Sequence, residues 1–461
     1  MIRRPKNSLI ISFCVLAIVV HATILFVVIP KISDRLHTSY NQDEYADGYD
    51  QLAANLVNGN GYRMYPETAK TLMREPGYPI LLAGIFSLFG KNFTAVKLTN
   101  MFMAFVVVWL MTRLARELSS SQVMILGPPL LFLFHPGTLI AESRGGVEVL
   151  FTLFLALFMC TLYPAVKFNR SWNYVVSGGV LGLTLLVRST PLLFPLFLFA
   201  YLLVFERQVR KVLILRNVTL MVVAMLVVLS PWTIRNYFLT GKFVPTSSLL
   251  GLSAQTGQYI LTHHSSDDRR MDRESAQERN DLARELGYLF KDGYYQYFYS
   301  SADELKFSND LLKRVAGEYR RSPKLFLRVI ATNLVYFWIG GKTGNSVRMN
   351  LVVQLPFLIL ATMGIVLSAR NNQVKQIAPM LVLIIYLVAI SVPIIAQARY
   401  SVPLIPYVSV LACITLVAAQ RVSSGEDRPA ENGVRAVYGG PTPSPRLHHL
   451  ADKKAINSLD L

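Results

Sequence analysis

Four arginines stand where long apolar runs begin or end: Arg74, Arg188, Arg235 and Arg399. A guanidinium keeps its charge at any ordinary pH, and its rigid fork of donors matches the oxygens of a phosphate or diphosphate. Four unconnected stretches delivering cations to one membrane level would hold the head of a lipid-linked phosphate while its tail lay between helices. Taken singly, each arginine has a plainer use, snorkelling to the interface or pairing with a carboxylate. Arg188, set between "GLTLLV" and "STPLL", is the hardest to explain so, because a charge between two apolar spans needs a partner.

Acidic residues supply the complementary chemistry. Asp43, Glu44, Asp47 and Asp50 follow the first apolar run, with Asp43 and Asp47 one helical turn apart. A carboxylate there could act as general base on an incoming hydroxyl or amine, or bind a cation. A solvated helix face accounts for the same spacing. Glu142, after "FHPGTLIA", is placed to orient a substrate or pair with an arginine, whereas Glu148 fits an ion pair or packing better. His263 and His264 beside Asp267 and Asp268 have the composition of a metal site, but adjacent histidines point apart in regular structure.

These residues must be positioned by membrane helices. With 52% hydrophobic and 16% charged residues in 461, the chain has too little polar surface to cover a soluble globule of its size. Ten apolar segments, 8–29, 95–114, 122–140, 146–164, 174–188, 190–206, 213–232, 350–368, 377–396 and 401–419, approach the roughly 20 residues that cross hydrocarbon. With a cytoplasmic N-terminus, Arg113, Arg116, Lys167, Arg170, Arg207, Arg210, Lys211, Arg216, Arg370 and Lys375 all fall on inner connections, as the positive-inside rule requires. The net charge of +18 is thereby a matter of membrane topology rather than of nucleic acid. The run "LFLRVIATNLVYFWI" would upset this topology as a full span, and is expected to be a short helix at the outer interface. Two long outer loops result, 30–94 and 233–349, inside one membrane domain of residues 1–421. Residues 422–461, rich in Pro, Gly, Ser and charge, are expected to be a mobile cytoplasmic tail. The three cysteines, Cys14, Cys160 and Cys413, lie apart in apolar segments, against a disulfide framework or thiolate metal site.

In order along the chain, "YDQLAANLVNGNGY", "REPGYPILLAGIFSLFG" with Arg74 and Tyr78, "LIAES" with Glu142, "GLTLLVRSTPLLFP" with Arg188, "SPWTIRNYFLTGKFVPTSS" with Arg235, and "ARYSVPLIPYVSVLA" with Arg399 and Tyr400 resemble the multispanning GT-C glycosyltransferases that use lipid phosphates. The pattern is similar in particular to bacterial relatives of protein mannosyltransferases and of lipid A aminoarabinose transferases, and the resemblance covers residues 8 to about 419. It implies an all-α polytopic GT-C fold of about ten transmembrane helices with extracytoplasmic juxtamembrane helices. The family carries a catalytic acid in its first outer loop, which falls on Asp43 first and Asp47 second, with Glu44 as the neighbour of Asp43. The Asp43-Glu44 pair stands two residues early relative to Tyr49. Arg74, before Glu75-Pro76, looks like the basic residue that contacts the lipid phosphate, although the acid that precedes it in aminoarabinose transferases is Met73 here.

The resemblance further implies inverting transfer of a sugar from a polyprenyl monophosphate donor, undecaprenyl or decaprenyl, to an envelope glycan, lipid or protein. The site would face the periplasm or cell exterior from a bacterial cytoplasmic membrane. No glycine-rich nucleotide loop is apparent, and nucleic acid is not an expected partner. A divalent cation is invited by acids beside a phosphate, though arginines could supply the positive charge without one. A transporter or flippase for an anionic lipid-linked substrate is the alternative from another class; it calls for broken helices or ionisable residues near the membrane midplane.

Overall fold

The computed structural model describes residues 16–31, 46–263, 268–293, 295–341 and 344–423. In chain order its helices are α1 (Leu16–Lys31), α2 (Tyr49–Val57), α3 (Gly77–Phe89), α4 (Phe93–Leu118), α5 (Gln122–Leu133), α6 (Pro136–Arg144), α7 (Val147–Phe168), α8 (Ser171–Val187), α9 (Phe194–Phe205), α10 (Lys211–Thr240), α11 (Leu250–His263), α12 (Asp268–Glu285), α13 (Ser301–Arg321), α14 (Pro323–Ile339), α15 (Gly344–Arg370), α16 (Val374–Ser391) and α17 (Ile405–Ser423). Among the described residues the strands are one antiparallel pair, β1 (Phe290–Lys291) with β2 (Tyr297–Phe298). The protein is all-α and multi-pass.

Six described helices are long and apolar enough to cross a membrane, and seven if α5 and α6 form one bent span. The bend of 47° has a local cause. Pro136 has no N–H to continue α5, and it drives His135 into the extended region (φ −68, ψ 127). The described residues of the ten apolar segments read from the sequence lie mainly on helices, but as described α1, α8 and α9 with its preceding 3-10 turn are shorter than the qualifying spans. At 17 residues, α8 reaches about 25 Å, short of a hydrocarbon core of about 30 Å. Arg188 ends it, which brings that charge to the helix mouth. Helix α14 is not among the span candidates; its Asn333 donates to the Val392 carbonyl just past the end of α16, and its following Gly340 accepts from Ala398.

Small residues draw the helices together. A Cβ on Gly178 would lie 2.1 Å from the Met221 carbonyl oxygen, and one on Gly364 would lie 2.0 Å from that of Leu411. Backbones this close gain dispersion contacts where lipid offers no hydrophobic drive between helices. Outward, Phe102, Trp172, Val227 and Val352 expose more than 60% of their surface, as lipid-facing residues do. Gly178→Ala should therefore force α8 and α10 apart at a cost of about 1–3 kcal/mol. A melting temperature in detergent equal to that of the wild type would contradict this packing.

Candidate active site

Asp47 occupies a turn. Its φ of 73° and that of Gly48, 77°, are left-handed, so the chain bends sharply before α2 begins at Tyr49. Aspartate and glycine tolerate that region better than most residues. The bend corrects the expected single acidic helix face: Asp50 lies on α2 and pairs with Lys91 at 2.9 Å, while Asp47 turns elsewhere. Asp43 and Glu44 lie outside the described residues.

Around Asp47 gather groups from distant parts of the chain. Arg399 Nη1 lies 3.1 Å from Oδ2 and Arg74 Nη2 lies 3.7 Å from Oδ1. Arg74 also donates from Nε to the Asp47 carbonyl at 3.2 Å. The Tyr295 hydroxyl accepts from Arg74 and donates to Asp47 Oδ1 at 3.3 Å. Arg74 is sandwiched by aromatic faces, its guanidinium carbon 5.2 Å from the ring centre of Tyr49 and 5.1 Å from that of Tyr295. Arg188 lies over Tyr400 at 4.5 Å and Phe151 at 5.8 Å, and Arg399 approaches the same Tyr400 ring at 5.4 Å. Among the described ion pairs Arg188 has no carboxylate, so ring faces take the place of the partner its position demands.

Burial by itself would push the Asp47 carboxyl up, but the guanidiniums of Arg399, Arg74 and Arg188 outweigh it and hold the group well below the usual carboxylate range. Burial acts against the charge on Arg74 as well, yet Tyr295, Asp47, Tyr49 and Glu75 raise its pKa and keep it protonated. Three guanidiniums thus face the Asp47 carboxylate, with Glu75 acting on Arg74 and Glu148 on Arg399 from outside that contact. The donor forks of Arg74 and Arg399 converge on one point where an anionic ligand could compete with Asp47. A divalent ion at Asp47 fits poorly, since it would meet two guanidiniums beside its one carboxylate. No group of three or more metal-ligating side chains occurs among the described residues.

The remaining candidates separate from this cluster. Arg235 donates to the Thr71 carbonyl at 3.0 Å and to Asn236 at 2.9 Å, and lies over Trp232 and Tyr62. It braces the segment that carries Arg74 and does not pair with Asp47. Tyr62 continues that brace by donating to the Arg74 and Glu75 carbonyls. Tyr78 packs edge-on against Tyr49 and donates to the Gly145 carbonyl, joining α3 to the loop after α6. Among the described ion pairs Glu142 meets His21 rather than an arginine: its Oε2 lies 2.9 Å from His21 Nε2, both side chains fully buried, so α6 is tied to α1. Glu142→Gln keeps a hydrogen-bonding partner for His21 and should cost about 1–2 kcal/mol, read from thermal unfolding in detergent. His263 stacks on Tyr259, and His264 with Asp267 lies outside the described residues. Sequence reasoning missed Tyr295, Glu75 and Glu304. Glu75 accepts from Ser189 N–H and the Ser247 hydroxyl, fixing the residue next to Arg74 to the one next to Arg188.

Residues 73–234 match the family model described as dolichyl-phosphate-mannose-protein mannosyltransferase. That stretch contains Arg74, Tyr78, Glu142 and Arg188, and leaves Asp47, Arg235, Arg399 and Tyr400 outside. No curated protein matches the chain. Among solved structures, ArnT from Cupriavidus metallidurans bound to undecaprenyl phosphate is similar at 15% identity and a TM-score of 0.40, over 90% of this chain and 79% of that one. The apo state of the same protein gives 14% identity and a TM-score of 0.34, over 82% and 73%. The resemblance to the lipid-phosphate-dependent GT-C glycosyltransferases is borne out by the mannosyltransferase family match across residues 73–234.

Proposed function

We propose that the protein transfers a sugar from a polyprenyl monophosphate donor to an acceptor in the cell envelope. The reading rests on one observation above the rest: Arg74 and Arg399 flank the Asp47 carboxylate, and Arg188 stands within electrostatic reach. Arginines so placed would take the donor phosphate and stabilise it as it departs with a growing negative charge. The carboxylate would orient or deprotonate the acceptor, so that attack on the anomeric carbon inverts it. Asp47 is the described candidate for this role. In the ligand-free cluster it is a weak base, because the guanidiniums stabilise its charge. A phosphate that draws hydrogen bonds from Arg74 and Arg399 would return basicity to Asp47 as the donor binds.

The site belongs on the non-cytoplasmic side of a bacterial cytoplasmic membrane, where nucleotide sugars are absent and a lipid-linked donor is the available one. The mannosyltransferase family match over residues 73–234 supports a lipid-phosphate donor. The test is transfer of labelled sugar from a pool of polyprenyl-phosphate sugars to envelope acceptors by the purified protein. Arg399→Gln should lower transfer about tenfold or more, chiefly by weakening donor binding. Saturable donor binding by the wild type with no transfer to any acceptor would replace this reading with a transporter or flippase.

A further inference from the structure

Between Glu318 and Glu426 the chain contains no aspartate or glutamate. Within that acid-free stretch Arg320, Arg321, Lys324 and Arg328 crowd the corner where α13 gives way to α14, and all four are exposed. The corner is a built turn: the Ser322 side chain caps the N-terminus of α14, and Pro323 takes its first position. The negative end of α13 welcomes Arg320 and Arg321, but the positive end of α14 opposes Lys324. Glu318, the preceding acid, is engaged by Arg314 and Gln258. Among the described ion pairs Arg320, Arg321 and Lys324 take no carboxylate.

Beyond the cations, α14 exposes an apolar stripe of Leu327, Leu334 and Val335, with Leu327 63% exposed. The helices that meet at this corner also reach the site-bearing segments. Glu304 of α13 binds residues 71 and 72, and Gly340 after α14 binds Ala398 beside Arg399. Neither α13 nor α14 is among the helices long and apolar enough to cross a membrane, so the corner stays on the side of the site, proposed above to be non-cytoplasmic, where the positive-inside rule gives cations no reason to collect. An apolar stripe led by exposed cations is the pattern of a helix lying in a lipid interface, with its charges at headgroup level.

We propose that the α13–α14 corner is a docking surface for anionic phospholipid headgroups, with the exposed stripe of α14 against the acyl chains. Charge complementarity identifies the occupant: the stretch has no acid of its own, and phosphodiester headgroups supply the missing anions at that depth. The purified full-length protein would be equilibrated in detergent with equal amounts of phosphatidylglycerol and phosphatidylcholine, and the retained lipids counted after size exclusion. The wild type should retain phosphatidylglycerol in about tenfold excess or more at low salt, and lose that excess at high salt. The Arg320→Gln, Arg321→Gln, Lys324→Gln triple variant should hold both lipids equally, while Arg320→Lys, Arg321→Lys, Lys324→Arg should keep the preference. No preference in the wild type, or an undiminished one in a folded triple variant, overturns the proposal. So does a soluble anionic polysaccharide that binds the corner in place of lipid.

Discussion

Replacing Asp47 by asparagine is expected to reduce sugar transfer about a thousandfold while leaving the fold and donor binding in place. Asparagine suits the test because it tolerates the left-handed conformation that Asp47 adopts, whereas alanine would add backbone strain to the loss of charge. Arg74 keeps its bonds to Tyr295 and to the main-chain carbonyl of residue 47, so the cluster retains its frame. With the competing carboxylate gone, Arg74 and Arg399 are freer to take a phosphate, and polyprenyl phosphate should bind as well or more tightly. A structural role alone would weaken binding and turnover together. The pH dependence has a defined sign. Because Asp47 is held below its unfolded value, the stability it contributes is present above the ordinary aspartate pKa and is lost only in acid below that range. Between about pH 5 and 8 neither stability nor the donor-free state should show a titration of Asp47. Unaltered transfer by Asp47→Asn would move the catalytic role to Asp43 or Glu44.

Arg74, Arg188 and Arg399 were legible in the sequence because a charge at the end of an apolar run is costly without a purpose, and their common level follows from the spans themselves. The helices were legible for the same reason, since hydrophobic length and caps such as Pro136 and Ser322 act locally. Asp47 was only half legible. A helical period relates it to Asp43 and Asp50, while the Asp47-Gly48 dipeptide marks a turn, and the turn prevails. Arg235 shares its sequence signature with the other arginines, but the signature does not say which way the fork points. It points to the Thr71 carbonyl. Tyr295 had no signal of its own within the aromatic run "YYQYFY", because what singles it out is a contact with Asp47, 248 positions away.

Glu304 shows how the outer loop sets the position of Arg74, and its replacement by alanine is expected to lower kcat/KM about a hundredfold. Its buried carboxylate accepts from the Thr71 hydroxyl at 2.7 Å, the Leu72 N–H at 2.9 Å and the Ser248 hydroxyl at 2.6 Å. On the same side Ser301 donates to the Lys70 carbonyl, and Ala69 donates to that of Phe298. Residues 298–304 are thus fastened along 69–72, which fixes Arg74 and Tyr295 relative to each other and hence to Asp47. Alanine leaves three donors without an acceptor and should cost about 3 kcal/mol of stability. Glutamine should restore most of the activity: its oxygen can accept from Leu72 and Ser248, and its amide can donate to a Thr71 hydroxyl that rotates to accept. Burial raises the Glu304 pKa despite the Ser248, Thr71 and Leu72 donors and the Arg235 charge that lower it. A carboxyl raised in the folded state gives its full stabilisation below its unfolded pKa and loses it as pH rises through the folded value. Glutamine cannot ionise, so Glu304→Gln should flatten the decline in melting temperature over that interval. Transfer by Glu304→Ala equal to wild type would remove the clamp from the mechanism. Equal impairment of the alanine and glutamine variants would require a charge at this position rather than a hydrogen-bonded brace.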